Sequence, residues 1–365
     1  MTRRVHQFLP TLSTGDATAS HALQIRRALD DEGIEGALYV EHDRSDRPGT
    51  LARPYVAHAA DAAPGDVLLY HLAVGSVVAD YVRDRPEPLL VDFHNLTPPR
   101  FFAAWPPGPG EPDMTWAVEW GLRQRDELAA STVWATTVSR FNQVELAAAG
   151  YGRTSVVPIL LDTATFDHGD GDGVSVGHGD GPLWLFVGRI APNKAQHDLL
   201  LALAAARRTG SPDARLALVG GVSSSAYRAA LGELVEALDL EGAVTFTGPV
   251  TDAELGAWYR AADVFVCLSD HEGFCVPVVE AMYHELPVIA FAAGAVPETV
   301  GGGALVLGAK EPVRVATAIE RIVGDEAVRS GLIAAGRDRL DDFALARTRR
   351  QLLDALLPVL DELDA

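Results

Sequence analysis

Short apolar runs alternate with longer amphipathic ones along most of the chain. In the first half, strand-like runs at 5–9, 36–40, 67–70, 89–93, 133–138 and 154–160 bracket helical patterns at 17–31, 76–83 and 114–130. The second half is more regular. Strand-like runs at 183–187, 214–219, 244–247, 264–268, 287–291 and 304–307 alternate with helical patterns at 196–208, 225–238, 252–261 and 277–284. Strands that read as continuous apolar runs are buried on both faces, and strand–helix alternation implies parallel sheets joined by right-handed crossovers. The tail from 313 onward is helical and carries an apolar stripe, Leu352, Leu353, Leu356, Leu357 and Leu360, that needs a surface to bury against.

The pattern divides the chain into a first α/β domain over 1–165, a Gly/Asp-rich linker over 166–182 and a second α/β domain over 183–340. A closing helix over 341–365 is expected to pack back on the first domain. The linker carries His168, His178 and Asp170-Gly171-Asp172. With no ordered scaffold around them, these residues suit a solvated hinge better than a metal site.

Composition narrows the partners. A hydrophobic content of 48% supports a full core in each half, and no apolar run is long enough to span a membrane. A net charge of −20 argues against nucleic acid and anionic lipid as principal partners. Cytoplasmic location is expected. The two cysteines, Cys267 and Cys275, lack metal-ligand or redox spacing, and Cys275 reads as a small apolar filler at a helix start. Of 30 basic residues only Lys194 and Lys310 are lysines, so a lysine at a strand-end loop is informative.

Three loops at strand ends carry chemistry. Gly188 and Arg189 follow the 183–187 run at once, and Lys194 comes at the next helix start; two cations on one loop suit a diphosphate and the charge that develops on it. Ser269-Asp270-His271-Glu272-Gly273 breaks the 264–268 run before a helix opens near Val276. Glu272 and Glu280 bracket that turn as hydroxyl-accepting carboxylates. Gly294-Ala295-Val296-Pro297-Glu298 adds a third turn on the same rim. A ligand anionic in its middle and hydroxylated at both ends, as a nucleotide sugar is, fits this set.

In the first half, Gly15 lets backbone approach a ligand, Asp16 is either a helix N-cap or a substrate contact, and His94 sits at the carboxyl end of a buried strand. Trp116 and Trp120, four apart on one helix, read as core. Phe101, Phe102 and Trp105 lie in a Pro/Gly loop and suit an acceptor wall, with a membrane surface as the other reading.

Taken together, the Gly188-Arg189…Lys194 loop, the Glu272…Glu280 pair around Gly273-Phe274 and the Gly294…Pro297-Glu298 turn resemble the retaining glycosyltransferases of family 4, the glycosyl transferases group 1. The likeness is strong over 183–307 and weaker over the first domain, where Gly15, His94-Asn95 and Thr137-Val138-Ser139 carry it. It implies a GT-B fold, two Rossmann-like doubly wound α/β domains facing each other across a cleft.

By that resemblance Arg189 and Lys194 hold the donor diphosphate and Glu280 the ribose hydroxyls. Glu272 binds the transferred hexose, with backbone N–H groups near Gly273, Phe274 and Cys275 cradling sugar and phosphate. His94 contacts the hexose across the cleft, Gly15 admits donor and acceptor, and Val250 flanks the base. Asp16 departs from the paired glycines of many relatives and is expected to face a hydroxyl. The implied reaction is metal-independent, cofactor-free transfer of a hexose, mannose or glucose, from a nucleotide-diphosphate sugar to a saccharide or lipid-linked acceptor with retained configuration. No transmembrane segment is expected, peripheral membrane contact stays open, and removal of Lys194 or Glu272 is expected to spare folding. The alternatives are a nucleotide-sugar epimerase or hydrolase on the same fold and a non-catalytic nucleotide-sugar sensor; an oxidoreductase lacks its Gly-x-Gly-x-x-Gly.

Overall fold

A computed structural model describes residues 4–167 and 179–364. His168, His178 and Asp170-Gly171-Asp172, with most of the expected linker, lie outside the described residues. The chain forms two compact units. The first comprises Met1–Pro99, Met114–Asp162 and Phe343–Ala365; the second comprises Arg100–Asp113 and Thr163–Asp342. The aromatic loop that sequence order places inside the first half thus belongs to the second unit.

In the first unit, seven strands form one parallel sheet: β1 (Val5–Ser13), β2 (Leu38–Arg44), β3 (Arg53–Pro54), β4 (Val67–Leu72), β5 (Leu89–Phe93), β6 (Thr132–Thr137) and β7 (Thr154–Val156). Their order is β3-β2-β1-β4-β5-β6-β7. Helices α1 (Ala17–Asp31), α2 (His58–Asp61), α3 (Val77–Arg83), α4 (Met114–Leu128) and α5 (Arg140–Ala148) connect them. β1 runs through Pro10, which the sequence reading placed past its end. Pairing with β4 stops at Phe8, so the missing N–H of Pro10 leaves no hole on that side. Helix α5 escaped the pattern reading because Arg140-Phe141-Asn142-Gln143 opens it with polar residues; its start is fixed by the Ser139 hydroxyl, which accepts the Asn142 N–H. β7 is shorter than the 154–160 run, since Pro158 has no N–H to continue the ladder.

The second unit holds six parallel strands, β8 (Leu183–Val187), β9 (Arg215–Val219), β10 (Val244–Gly248), β11 (Val264–Cys267), β12 (Val288–Phe291) and β13 (Leu305–Leu307), in the order β10-β9-β8-β11-β12-β13. Helices α6 (Gln196–Thr209), α7 (Ser225–Ala237), α8 (Asp252–Ala261), α9 (Val276–Tyr283), α10 (Val296–Val300), α11 (Pro312–Gly324) and α12 (Glu326–Leu340) cover it. In each sheet the order reverses once, between β1 and β4 and between β8 and β11. Such switch points open a crevice at the carboxyl ends of the strands, where doubly wound folds bind ligands.

The last helix, α13 (Leu345–Asp364), belongs to the first unit. Its Leu352, Leu356, Val359 and Leu360 are buried with Val5, Ile25, Leu29 and Leu69. Two aromatic assignments change. Trp116 is 54% exposed and packs on Trp120, with ring centroids 4.8 Å apart, rather than entering the core. Trp105 meets the edge of Tyr227 at 4.9 Å and packs against the core of the second unit. Among the described residues no helix is long and apolar enough to cross a membrane.

Candidate functional site

The second unit's switch point brings together two of the three loops that the sequence singled out. β8 and β11 are neighbours, so the loop after Val187 and the turn after Cys267 leave the sheet side by side. Cross-bonds lock them: the Asp270 N–H donates to the Asn193 carbonyl at 2.8 Å, and the Asn193 amide donates to the His271 carbonyl at 3.3 Å. Lys310 closes the outer side by donating to Asp198 at 2.8 Å and to Asp270.

Within this frame the Lys194 ammonium donates to both oxygens of Glu272, at 2.7 and 2.8 Å. Burial alone would lower the Lys194 pKa, but the Glu272 carboxylate outweighs it and holds the pKa above the ordinary lysine value. The ammonium therefore stays charged. Arg189 is exposed, its guanidinium has no acid partner among the described residues, and its charge reaches Lys194. The loop thus presents one paired cation and one open one. Lys194 and Glu272, expected to face phosphate and sugar separately, contact each other directly, so a ligand here meets a preformed ion pair.

Glu280 lies on α9, beyond the turn. Burial raises its carboxyl pKa, and one oxygen accepts the Tyr259 hydroxyl at 2.7 Å. Phe274 is buried, its carbonyl accepting the Thr299 hydroxyl at 2.6 Å. Gly273 and Val250 are half-buried. Beside Glu272, the Phe101 ring lies 6.0 Å from that of His271. Burial lowers the His271 pKa to about 4, and the charges of Arg100 and Lys194 add to that against the pull of Glu272.

Gly294 sets the height of Glu272. It has φ +55°, and a Cβ there would lie 2.4 Å from the Glu272 carbonyl oxygen, which accepts the Ala295 N–H at 2.9 Å. Gly294→Ala should lower stability by about 1–2 kcal/mol from the backbone conformation and force the Glu272 turn to shift. Thermal melts combined with ligand titration check this; unchanged values would show that the contact does not position Glu272.

In the first unit Gly15 has φ +74°, which the turn before α1 requires, and Asp16 is the N-cap, its carboxylate accepting the Ala19 N–H at 3.0 Å. Of the two roles weighed for Asp16, the capping role is the one its geometry displays. His94 belongs to a buried cluster. Asp92 Oδ2 lies 3.1 Å from His21 Nε2, 3.0 Å from His71 Nδ1 and 3.0 Å from His94 Nε2. Burial alone would raise the Asp92 pKa, but the histidines, His94 and His21 foremost, hold it well below the usual carboxylate range.

The tautomers in this cluster follow from partners. The Gln7 amide donates to the Ala22 carbonyl, so Gln7 Oε1 accepts His71 Nε2–H at 2.8 Å. His71 is held neutral, its pKa lowered to about 4 by burial, so its Nδ1 is bare. Among the described residues the donor facing that atom, at 3.1 Å, is His94 Nε2–H. His94 Nε2 thus turns its proton toward His71 and Asp92, and Nδ1 is the ring nitrogen left for a sugar hydroxyl.

Among the described residues, three groups have ligand atoms close enough to share a metal ion: His21, Asp92 and His94; His6, His58 and Asp66; and Cys267, Glu272 and Cys275. Two of them are committed to hydrogen bonds instead. His21 Nδ1 accepts the Leu160 N–H and His6 Nδ1 the Ala37 N–H, so in each ring the proton sits on the nitrogen facing the carboxylate. In the third group both Glu272 oxygens are occupied by Lys194.

Sequence reasoning missed Asn193 as the tie between loops, Tyr259 as the partner of Glu280, and Asp92 with His71 behind His94. Asp92 carried a signal, a charged residue inside an otherwise apolar run.

Residues 174–339 match the family model for glycosyl transferases group 1. A D-inositol 3-phosphate glycosyltransferase of Nocardia farcinica is 30% identical over 361 residues, covering 93% of this chain and 78% of that protein. The chain belongs to the group 1 glycosyltransferases. A homologue of the same name from Frankia alni is 34% identical over 245 residues, covering 64% of this chain. The matches to Frankia alni and Kineococcus radiotolerans span 60% and 58% of those relatives' length. Among solved structures, sucrose-phosphate synthase from Thermosynechococcus elongatus superposes with a TM-score of 0.77 at 20% identity, covering 99% of this chain and 100% of that one. Anabaena Alr3699/HepE in complex with UDP-glucose gives 0.74 at 20% identity, covering 97% and 99%. These likenesses show the GT-B fold.

Proposed function

We propose that this group 1 glycosyltransferase transfers a hexose, mannose or glucose, from a nucleotide-diphosphate sugar to a hydroxyl of a saccharide or lipid-linked acceptor in the cytoplasm. The transfer retains anomeric configuration and needs no metal. The observation that carries the reading is the Lys194–Glu272 pair at a switch point, with the open Arg189 guanidinium on the same loop. Arg189 neutralises the diphosphate, and Lys194 shares its protons between Glu272 and the leaving phosphate as charge builds there. Glu272 turns an oxygen to the hexose hydroxyls, and Glu280, steadied by Tyr259, accepts from the ribose. The leaving phosphate takes the acceptor proton, so no separate base is required.

The test is calorimetric titration of UDP- and GDP-linked hexoses against the wild type and Arg189→Ala, then product analysis with acceptors. Inositol 3-phosphate comes first among them, because the relatives' names point to it. Tight binding to the wild type, a loss of about tenfold or more in Arg189→Ala and a glycosylated product support the reading. Release of nucleoside diphosphate with no acceptor would favour the epimerase or hydrolase alternative, and no binding by any nucleotide sugar would sink the proposal.

A further inference from the structure

The chain's two cysteines meet at the donor turn. Cys267 closes β11 and Cys275 is the residue on which α9 begins; both are free and buried, and their sulfurs lie 3.8 Å apart. Cys275 has φ +78°, a left-handed conformation that glycine meets more cheaply than a residue with a Cβ. A side chain is kept in a place that disfavours one, and it points its sulfur at the only other sulfhydryl in the molecule. Between the two lies the turn 268–274 with Glu272, whose carboxylate comes within 4.8 Å of both sulfurs. Cys275 is 9% exposed and Cys267 1%, so one thiol borders the surface and the other stands behind it.

We propose that Cys267 and Cys275 are a reversible oxidation site that switches off donor binding, with hydrogen peroxide as oxidant. This rests on reading the β8–β11 rim as the donor site. The thiolate of one cysteine attacks the peroxide O–O bond, giving a sulfenic acid while the other oxygen leaves as hydroxide and is protonated to water. The second sulfur then attacks the sulfenyl sulfur, forming S–S and expelling the second water. Two thiols lose two electrons and two protons, and the peroxide is reduced to two waters. Closing the sulfurs from 3.8 Å to the roughly 2.05 Å of a disulfide draws the end of β11 toward the start of α9. Glu272 cannot follow freely, because its carbonyl is held by the Ala295 N–H at 2.9 Å. The turn buckles and the Glu272–Lys194 pair separates. A soft metal ion on the same sulfurs would first have to break that pair, since both Glu272 oxygens are occupied. Disulfides that form in reducing compartments are typically transient and regulatory.

The experiment treats the full chain with hydrogen peroxide, measures intact mass and free thiols, and titrates UDP-glucose and GDP-mannose before oxidation, after it and after dithiothreitol. The expected result is a monomer lighter by two hydrogens with no free thiol, donor affinity lowered about tenfold or more, and full recovery with dithiothreitol. Cys267→Ser and Cys267→Ala should bind donor like the reduced wild type and ignore peroxide at the same dose. The proposal is overturned by thiols that survive the treatment, by disulfide-linked dimers, by a disulfide that leaves affinity unchanged, or by thiol loss that a chelator reverses and a reductant does not. If the reduced protein binds neither nucleotide sugar, the donor reading fails. Mass and thiol counts then still decide whether the two sulfurs pair.

Discussion

Lys194→Ala is expected to lower turnover at least about a hundredfold, the loss found when one group that stabilises developing charge is removed. The geometry adds a second consequence that the sequence did not foresee. Lys194 holds both oxygens of Glu272, whose side chain is only 8% exposed, so removing the lysine leaves a buried carboxylate without its counter-charge. Breaking one side of a buried pair costs about 3–5 kcal/mol, whereas neutralising both sides costs far less. Lys194→Ala should therefore melt earlier than the wild type, and the expectation that folding is spared gives way. Lys194→Met combined with Glu272→Gln should recover most of that stability and none of the turnover. Melting curves and initial rates on the two single variants and the double variant form a cycle that separates the roles. A folded Lys194→Ala protein with wild-type turnover would remove the lysine from the chemistry.

Much of this was legible because parallel strands buried on both faces announce themselves as short apolar runs. The glycines and charges that follow them mark the carboxyl rim. Arg189, Lys194 and Glu272 could be named from strand–loop–helix syntax alone, since adjacent β8 and β11 make their loops neighbours. Pairings across the fold were not legible. Nothing near Tyr259 shows that it will reach Glu280, and Lys194 carries no sign that its partner is Glu272 rather than a ligand. The exposure of Trp116 was misread because helical spacing is shared by buried stripes and by aromatic pairs on a surface. The segment Arg100–Asp113 was assigned by sequence order, whereas Trp105 on Tyr227, and Glu111 accepting the Ser225 N–H at 3.0 Å, place it with the second unit.

Stability should fall steeply as the pH drops from 7 to 5. His71 is fully buried and its pKa is lowered from 6.5 to about 4, with burial as the main cause. Its ring faces Asp92, His94 and His21, and the nearby acid does not offset the loss of water. Between those two pKa values the unfolded chain binds a proton that the folded chain refuses, so stability is complete above pH 6.5 and declines as the pH falls through the window. At pH 5 the loss from His71 is about 2 kcal/mol, and His271, also lowered to about 4, adds a similar amount in the second unit. His6 and His58, lowered by burial, act in the same direction. Glu145 and Glu280 oppose it, because burial raises their pKa values and protonation then favours the folded state. Four histidines against two acids leave a net loss. Calorimetric melts of the wild type and His71→Gln across this range isolate the term: glutamine can still donate to Gln7 but takes up no proton. The variant's stability should depend less on pH by about one bound proton, roughly 1.4 kcal/mol per pH unit. Parallel curves for the two proteins would mean that His71 is not held neutral, and the bare Nδ1 that fixes the His94 tautomer would go with it.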